Sequence, residues 1–125
     1  MSAHRHHVLV VEDDADVREA LGFLLETAGA TAILAPDGNA ALELLNASDG
    51  DAPCVILLDV HMPVMDGWEF RKRQLSHPAH AAIPVVMFTA DADSDRARQL
   101  GVNELLRKPN DVDAVLAAIE RQCRG

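Results

Sequence analysis

Four short runs in this chain are apolar from end to end rather than alternating: Val8-Leu9-Val10-Val11, Val55-Ile56-Leu57-Leu58, Val85-Val86-Met87-Phe88 and, shorter, Leu105-Leu106. A strand that is apolar on both sides must be covered on both faces. Between the runs lie segments with helical spacing. In the first, Val17, Leu21, Leu24, Leu25 and Ala28 share one face. Strands that alternate with helices give a parallel sheet with right-handed crossovers, clad by helices on both sides. Strands are predicted near 7–11, 31–35, 54–58, 84–88 and 103–106, with helices between them, the later four near 38–47, 67–76, 94–100 and 110–123.

The remaining signals are uneven. Asp14 or Asp16 is suited to cap the first helix and Gly29 to end it. Ala41, Leu44 and Leu45 anchor the second helix; Val112, Val115, Leu116 and Ile119 anchor the last. The third shows no clean stripe from Trp68, Phe70 and Leu75, and the fourth offers only Ala97 and Leu100. Asn46 to Pro53 is a loop by composition. With no repeat or linker, 125 residues are expected to form one domain, 1–125.

Composition narrows function. A net charge of -9 argues against a nucleic-acid surface, which requires a basic patch. Arg71-Lys72-Arg73 is read as a solvated helix face. No apolar stretch approaches the ~20 residues of a membrane span, and the start lacks the apolar core of a secretion signal. A cytoplasmic location is expected. Cys54 and Cys123 have no CxxC spacing and read as reduced, small apolar residues. His4, His6 and His7 read as a polar lead-in to the first strand rather than a metal site.

In a parallel sheet, ligands sit at the carboxyl ends of the strands. This chain concentrates its unusual polar residues there. Glu12, Asp13 and Asp14 follow the first run, Asp59 the third strand, Thr89 the fourth, and Lys108-Pro109 the fifth. Asp14 is explained by capping. Acids at two separate strand ends are not. Two carboxylates ~5 Å apart repel by roughly 3 kcal/mol at an effective dielectric of 20. Such a cluster raises its own pKa values or binds a cation. Oxygen donors suit magnesium, manganese or calcium, and magnesium is typically held by one or two carboxylates plus a phosphate.

Roles follow from this placement. Asp59 is the candidate nucleophile, able to attack phosphorus and form an acyl phosphate. An ion held by Asp13 and Asp59 would neutralise the incoming oxygens, Lys108 would add a second positive charge, and the Thr89 hydroxyl would donate to a phosphoryl oxygen. Ala90 leaves space beside Thr89. A cis Lys108–Pro109 bond suits so tight a turn; a trans bond that opens a helix is the alternative. Met62-Pro63 with Met65-Asp66-Gly67 reads as a turn and helix start, with Gly67 allowing close approach. Trp68 is expected to pack, partly exposed. His61 and Asp91 face either the reacting group or plain solvent.

Together, Val10-Val11-Glu12-Asp13-Asp14, then Leu58-Asp59-Val60-His61-Met62-Pro63-Val64-Met65-Asp66-Gly67, then Phe88-Thr89-Ala90, then Lys108-Pro109 resemble the receiver domain of bacterial two-component response regulators. The match spans nearly the whole chain. It implies a flavodoxin-like α/β fold, a five-stranded parallel sheet in the order 2-1-3-4-5 with five helices. It implies that a sensor histidine kinase or phosphotransfer protein phosphorylates Asp59, and that this switches binding to a downstream effector protein. It further implies Mg2+ (or Mn2+) held by Glu12 through water, Asp13, Asp59 and the backbone carbonyl of His61, with Thr89 and Lys108 on the phosphoryl group. One position departs: where receivers usually carry Tyr or Phe, three residues before the lysine, this chain has Leu105. Leucine cannot perform the ring rotation of the usual switch. A weaker or differently routed change on the face of the fourth helix, last strand and last helix is therefore expected.

Other functions fit less well. A magnesium-dependent phosphatase working through an aspartyl-phosphate would share the nucleophile and the metal. Asp59-Val60-His61 supplies no general acid in D-x-D spacing, and no cap domain is evident. A nucleotide or flavin domain lacks a G-x-G-x-x-G or G-x-x-x-x-G-K-[ST] loop. A degenerate, unphosphorylated scaffold is not suggested, since every pocket residue type is present. The chain is expected to be no enzyme but a phosphoacceptor, with self-dephosphorylation possible.

Overall fold

The computed structural model describes residues 6–47, 52–109 and 111–123. Five strands alternate with five helices: β1 (His7–Val11), α1 (Ala15–Thr27), β2 (Thr31–Ala35), α2 (Gly38–Ala47), β3 (Val55–Leu58), α3 (Gly67–Leu75), β4 (Val85–Thr89), α4 (Ser94–Gln99), β5 (Glu104–Arg107) and α5 (Val115–Gln122), the last preceded by a 3-10 turn at Val112–Ala114. All pairings are parallel and the sheet order is 2-1-3-4-5, the flavodoxin-like arrangement expected.

The two-sided burial of β1, β3 and β4 divides the core in two. Leu9, Val11, Ile56, Leu58, Val85 and Met87 meet Trp68, Phe70 and Ala97 from the α2–α4 side. Val8, Val10, Val55, Leu57, Val86 and Phe88 meet Leu21, Leu25, Val115 and Ile119 from the α1–α5 side. Asp14 caps α1 by accepting from the backbone N–H of Asp16 and Val17, and Gly29 at φ 91° turns the chain out of the helix.

Several sequence expectations need correction. The indistinct stripe of α3 is real but polar. Arg71 and Gln74 are buried with Trp68 and Phe70, while Leu75 is partly exposed. Arg71 donates from Nε to the Leu100 carbonyl and from Nη2 to the Gly101 carbonyl, each 2.9 Å; Gln74 Nε2 donates to the His80 and Ile83 carbonyls. Arg71 is thus a buried clasp, not part of a solvated face. Burial without an acidic partner lowers its pKa. Trp68 is fully buried rather than partly exposed. Leu44 and Val112, named as anchors, are exposed at 40 % and 41 %.

The cysteines are corrected most. Cys54 and Cys123 are joined as a disulfide across 69 residues of sequence. Nothing in their spacing announces this. The topology brings the entrance of β3 beside the end of α5. Of the histidine lead-in, His4 lies outside the described residues, and so do residues 48–51 of the 46–53 loop.

Candidate functional site

The site lies at the carboxyl edge of the sheet, and the strand register builds it. The backbone N–H of Asp59 donates to the Val11 carbonyl and that of Glu12 to the Ala35 carbonyl, both 3.1 Å, so the first turns after β1 and β3 remain side by side. Carboxylate oxygens of Glu12, Asp13 and Asp59 consequently lie within 4.8 Å of one another. Glu12 and Asp59 are buried and Asp13 is exposed.

Lys108 closes the cluster. Its Nζ makes a short hydrogen bond to Glu12 Oε1 and lies 3.0 Å from Asp59 Oδ2. The hydrogen bond from its backbone N–H to the Thr89 carbonyl (3.1 Å) holds the lysine there, and its peptide bond to Pro109 is cis. Burial alone would lower the Lys108 pKa, but its hydrogen bonds to Glu12 and Asp59 more than offset this and raise it. The Glu12 pKa is raised, first by burial and then by the Asp59 charge, against the opposing pull of Lys108 and of the Asp14 N–H on Oε2 at 3.2 Å.

Asp59 Oδ1 accepts from the Val60 N–H at 2.7 Å, leaving Oδ2 as the oxygen toward the lysine. Thr89 is fully buried, and its Oγ1 accepts from the Asp91 N–H at 3.1 Å; the hydroxyl proton is left to donate. His61 and Asp91 form an exposed pair across the rim, Nε2 to Oδ2 3.5 Å. The loop from Asp59 to α3 is pinned by the Gly67 N–H, which donates to the Val60 carbonyl at 2.8 Å. A Cβ on Gly67 would lie 2.4 Å from the Asp59 carbonyl oxygen, so only glycine fits there. In the same loop, exposed Val64 takes φ 70°.

Of the side chains anticipated for the site, the structure brings together Glu12, Asp13, Asp59 and Lys108; Thr89 is tied to Lys108 through its backbone carbonyl, and His61 pairs with Asp91. The reading missed Arg18, whose Nη1 donates to the Glu12 carbonyl at 2.9 Å and braces the acidic turn. A lone arginine in the first turn of a helix carries no motif. It also missed a groove of about 620 Å3 that runs from Lys108 and Phe88 along α1 past Leu24 to Phe23, which is 76 % exposed.

A sheet in this order with acids, a hydroxyl and a lysine at its carboxyl edge defines an aspartate phosphoacceptor domain. The comparisons agree. Residues 8–120 match the family model of the response regulator receiver domain, and the chain belongs to that family. It is 36 % identical to a 14.6 kDa protein from the sodA1 3′ region of Leptolyngbya boryana, covering 93 % of this chain and 88 % of that one. It is 38 % identical to the DNA-binding transcriptional regulator NtrC of Salmonella typhimurium over 91 % of this chain but only 24 % of NtrC. The fold superimposes on the chemotaxis protein CheY4 of Vibrio cholerae with a TM-score of 0.83, at 29 % identity, covering 94 % of this chain and 98 % of that one. The chain is thus a receiver domain of two-component signalling, with a phosphoacceptor function. Nothing in these relatives points to the phosphatase alternative. Among the described residues, no helix is long and apolar enough to cross a membrane.

Proposed function

We propose that Asp59 is the phosphoacceptor, that Glu12, Asp13, Asp59 and the His61 backbone carbonyl hold Mg2+ (or Mn2+), and that Thr89 and Lys108 contact the transferred group. The observation that carries this reading is the convergence of three carboxylates with one lysine. The donor set fits the ion: all oxygen, few in number, and open on the Asp13 side. When bound, the ion would supply charge neutralisation to the phosphoryl oxygens.

The protein's own residues do the rest. Oδ2 of Asp59 attacks phosphorus, an O–P bond forms, and the P–N bond of a phosphohistidine donor breaks with its electron pair left on nitrogen. Val60 N–H holds Oδ1 and so aims Oδ2 outward. Lys108 already spans Glu12 and Asp59, and a small swing carries it from Asp59 to the new phosphoryl oxygens. The Thr89 O–H donates to another. The donor is a sensor histidine kinase or phosphotransfer protein, and the groove beside Lys108, open at Phe23, is the surface for it. The product switches binding to a downstream effector protein.

Incubation with acetyl phosphate and magnesium, read by intact mass, tests the chemistry. One phosphoryl group is expected, lost in Asp59→Asn and with chelator. Modification that persists in Asp59→Asn overturns the assignment. Phe23→Ser should slow transfer from a phosphohistidine protein while leaving labelling by acetyl phosphate unchanged.

A further inference from the structure

At the opposite, amino edge of the sheet lies a second cluster, made of residues the phosphoacceptor chemistry does not use. His6 directly precedes β1, Cys54 directly precedes β3, and Cys123 directly follows α5. One ligand atom from each lies within 4.8 Å of the others. His6 and Cys123 are each 4 % exposed, and Cys54 is half-buried. Period-two alternation puts His6 on the face of Val8 and Val10, beneath α5. Glu120, one turn before Cys123, brings its Oε2 to 3.9 Å from His6 Nε2.

The donor chemistry is specific. Two sulfurs and an imidazole, with a carboxylate in reach, form a set for a borderline-soft tetrahedral ion rather than for magnesium. Zinc–sulfur bonds of about 2.3 Å and zinc–nitrogen bonds of about 2.0 Å place tetrahedral donors roughly 3.5–3.8 Å apart. The three donors already lie within 4.8 Å of one another, close to that spacing, and the two sulfurs must part from their disulfide to reach it. The site also sits apart from the acidic cluster: Cys54 precedes Asp59 by five residues, roughly 17 Å of extended chain.

We propose that the reduced form of this protein binds one zinc ion through Cys54, Cys123 and His6, with Glu120 or water in the fourth position, and that oxidation to the disulfide expels it. The step balances with a small disulfide as oxidant. One thiolate attacks a sulfur of RS–SR, its S–S bond breaks, and one RS− leaves. The second thiolate then displaces the other RS− from the mixed disulfide. The two cysteine thiolates lose two electrons, the small disulfide gains them, and the ion departs because its sulfur ligands are gone. Deprotonated thiols and neutral imidazole are required, so binding releases protons.

Cobalt(II) is the probe, added to the full chain, fully reduced, with excess magnesium present to occupy the acidic cluster. One equivalent should give an intense thiolate-to-cobalt charge-transfer band with tetrahedral visible bands, bleached by one equivalent of zinc. Cys54→Ser and Cys123→Ser should each abolish the charge-transfer band. His6→Gln should weaken zinc binding more than about tenfold, measured against a chromophoric chelator, because even residues that merely support a ligand shift affinity by 10–100-fold. Oxidised glutathione should release the ion in step with loss of two thiols. Labelling by acetyl phosphate serves as the folding control for each variant. Absence of the band in reduced protein that still labels, or His6→Gln binding zinc as tightly as the parent, overturns the proposal.

Discussion

Lys108 holds two carboxylates together, and its loss should be felt before any phosphoryl group arrives. Without it, Glu12 at 2 % exposure faces Asp59 with no cation. Lys108→Ala should destabilise the metal-free protein by about 1–3 kcal/mol in urea melts, the cost of stranding a buried polar partner. Saturating magnesium should shrink that loss, since the ion takes over the neutralisation. An equal loss with and without magnesium would mean that the ion binds elsewhere. Gly67 is the second residue on which the site depends. Gly67→Ala puts a methyl 2.4 Å from the Asp59 carbonyl oxygen, so the loop carrying the acceptor must move. Slower labelling by acetyl phosphate and a loss of stability above about 1 kcal/mol are expected. Parent-like values for both would show that the loop yields freely.

At the scale of elements, β5 carries both the departure from the family pattern and a testable ion pair. Leu105 packs with the α2–α4 side of the core, opposite Met87 in the register. It offers neither a ring to rotate nor a hydroxyl. Backbone chemical shifts with a phosphoryl mimic should therefore change less across α4, β5 and α5 than in aromatic receivers; changes of equal size would refute that. Next to it, Glu104 accepts from Arg121 Nε at 3.0 Å and from Gln122 Nε2 at 2.8 Å, tying β5 to α5. The Arg121 hydrogen bonds lower the Glu104 pKa below its usual 4.5. A depressed carboxylate contributes stability above its unfolded pKa and loses it as pH falls through the folded one. Glu104→Gln should thus cost a few tenths to about 1 kcal/mol at pH 7, the range of exposed pairs, with the difference fading below about pH 4.5. Thermal melts across that range would show it, and a cost independent of pH would not fit.

The elements also show what the sequence could announce. Strands apolar on both faces declared the parallel sheet, and strand-end acids declared the site, because each depends on residue type at a fixed place. Arg71 and Gln74 were illegible for the opposite reason. Their burial is repaid by carbonyls of Leu100, Gly101, His80 and Ile83, which come close only after the chain has folded. The Phe23 groove is likewise a product of α1 lying beside the turn at Lys108.

For the molecule as a whole, the two edges of one sheet carry unlike chemistries: hard oxygens at the carboxyl edge, sulfur and imidazole at the amino edge. From that separation we expect stability, but not phosphoryl chemistry, to depend on redox state. The disulfide spans 69 residues, from the entrance of β3 to the end of α5, so it ties the C-terminal helix to the centre of the sheet. In the loop-entropy account a crosslink of that span contributes at the upper end of about 2–4 kcal/mol. Urea unfolding of the oxidised protein should exceed that of Cys123→Ser by this amount, with a smaller denaturant slope because the crosslinked unfolded chain exposes less surface. Labelling of Asp59 by acetyl phosphate should be the same in both, since Cys54 precedes β3 and Asp59 follows it, at opposite edges of the sheet. A labelling rate that follows the disulfide would show instead that the two edges are coupled through β3.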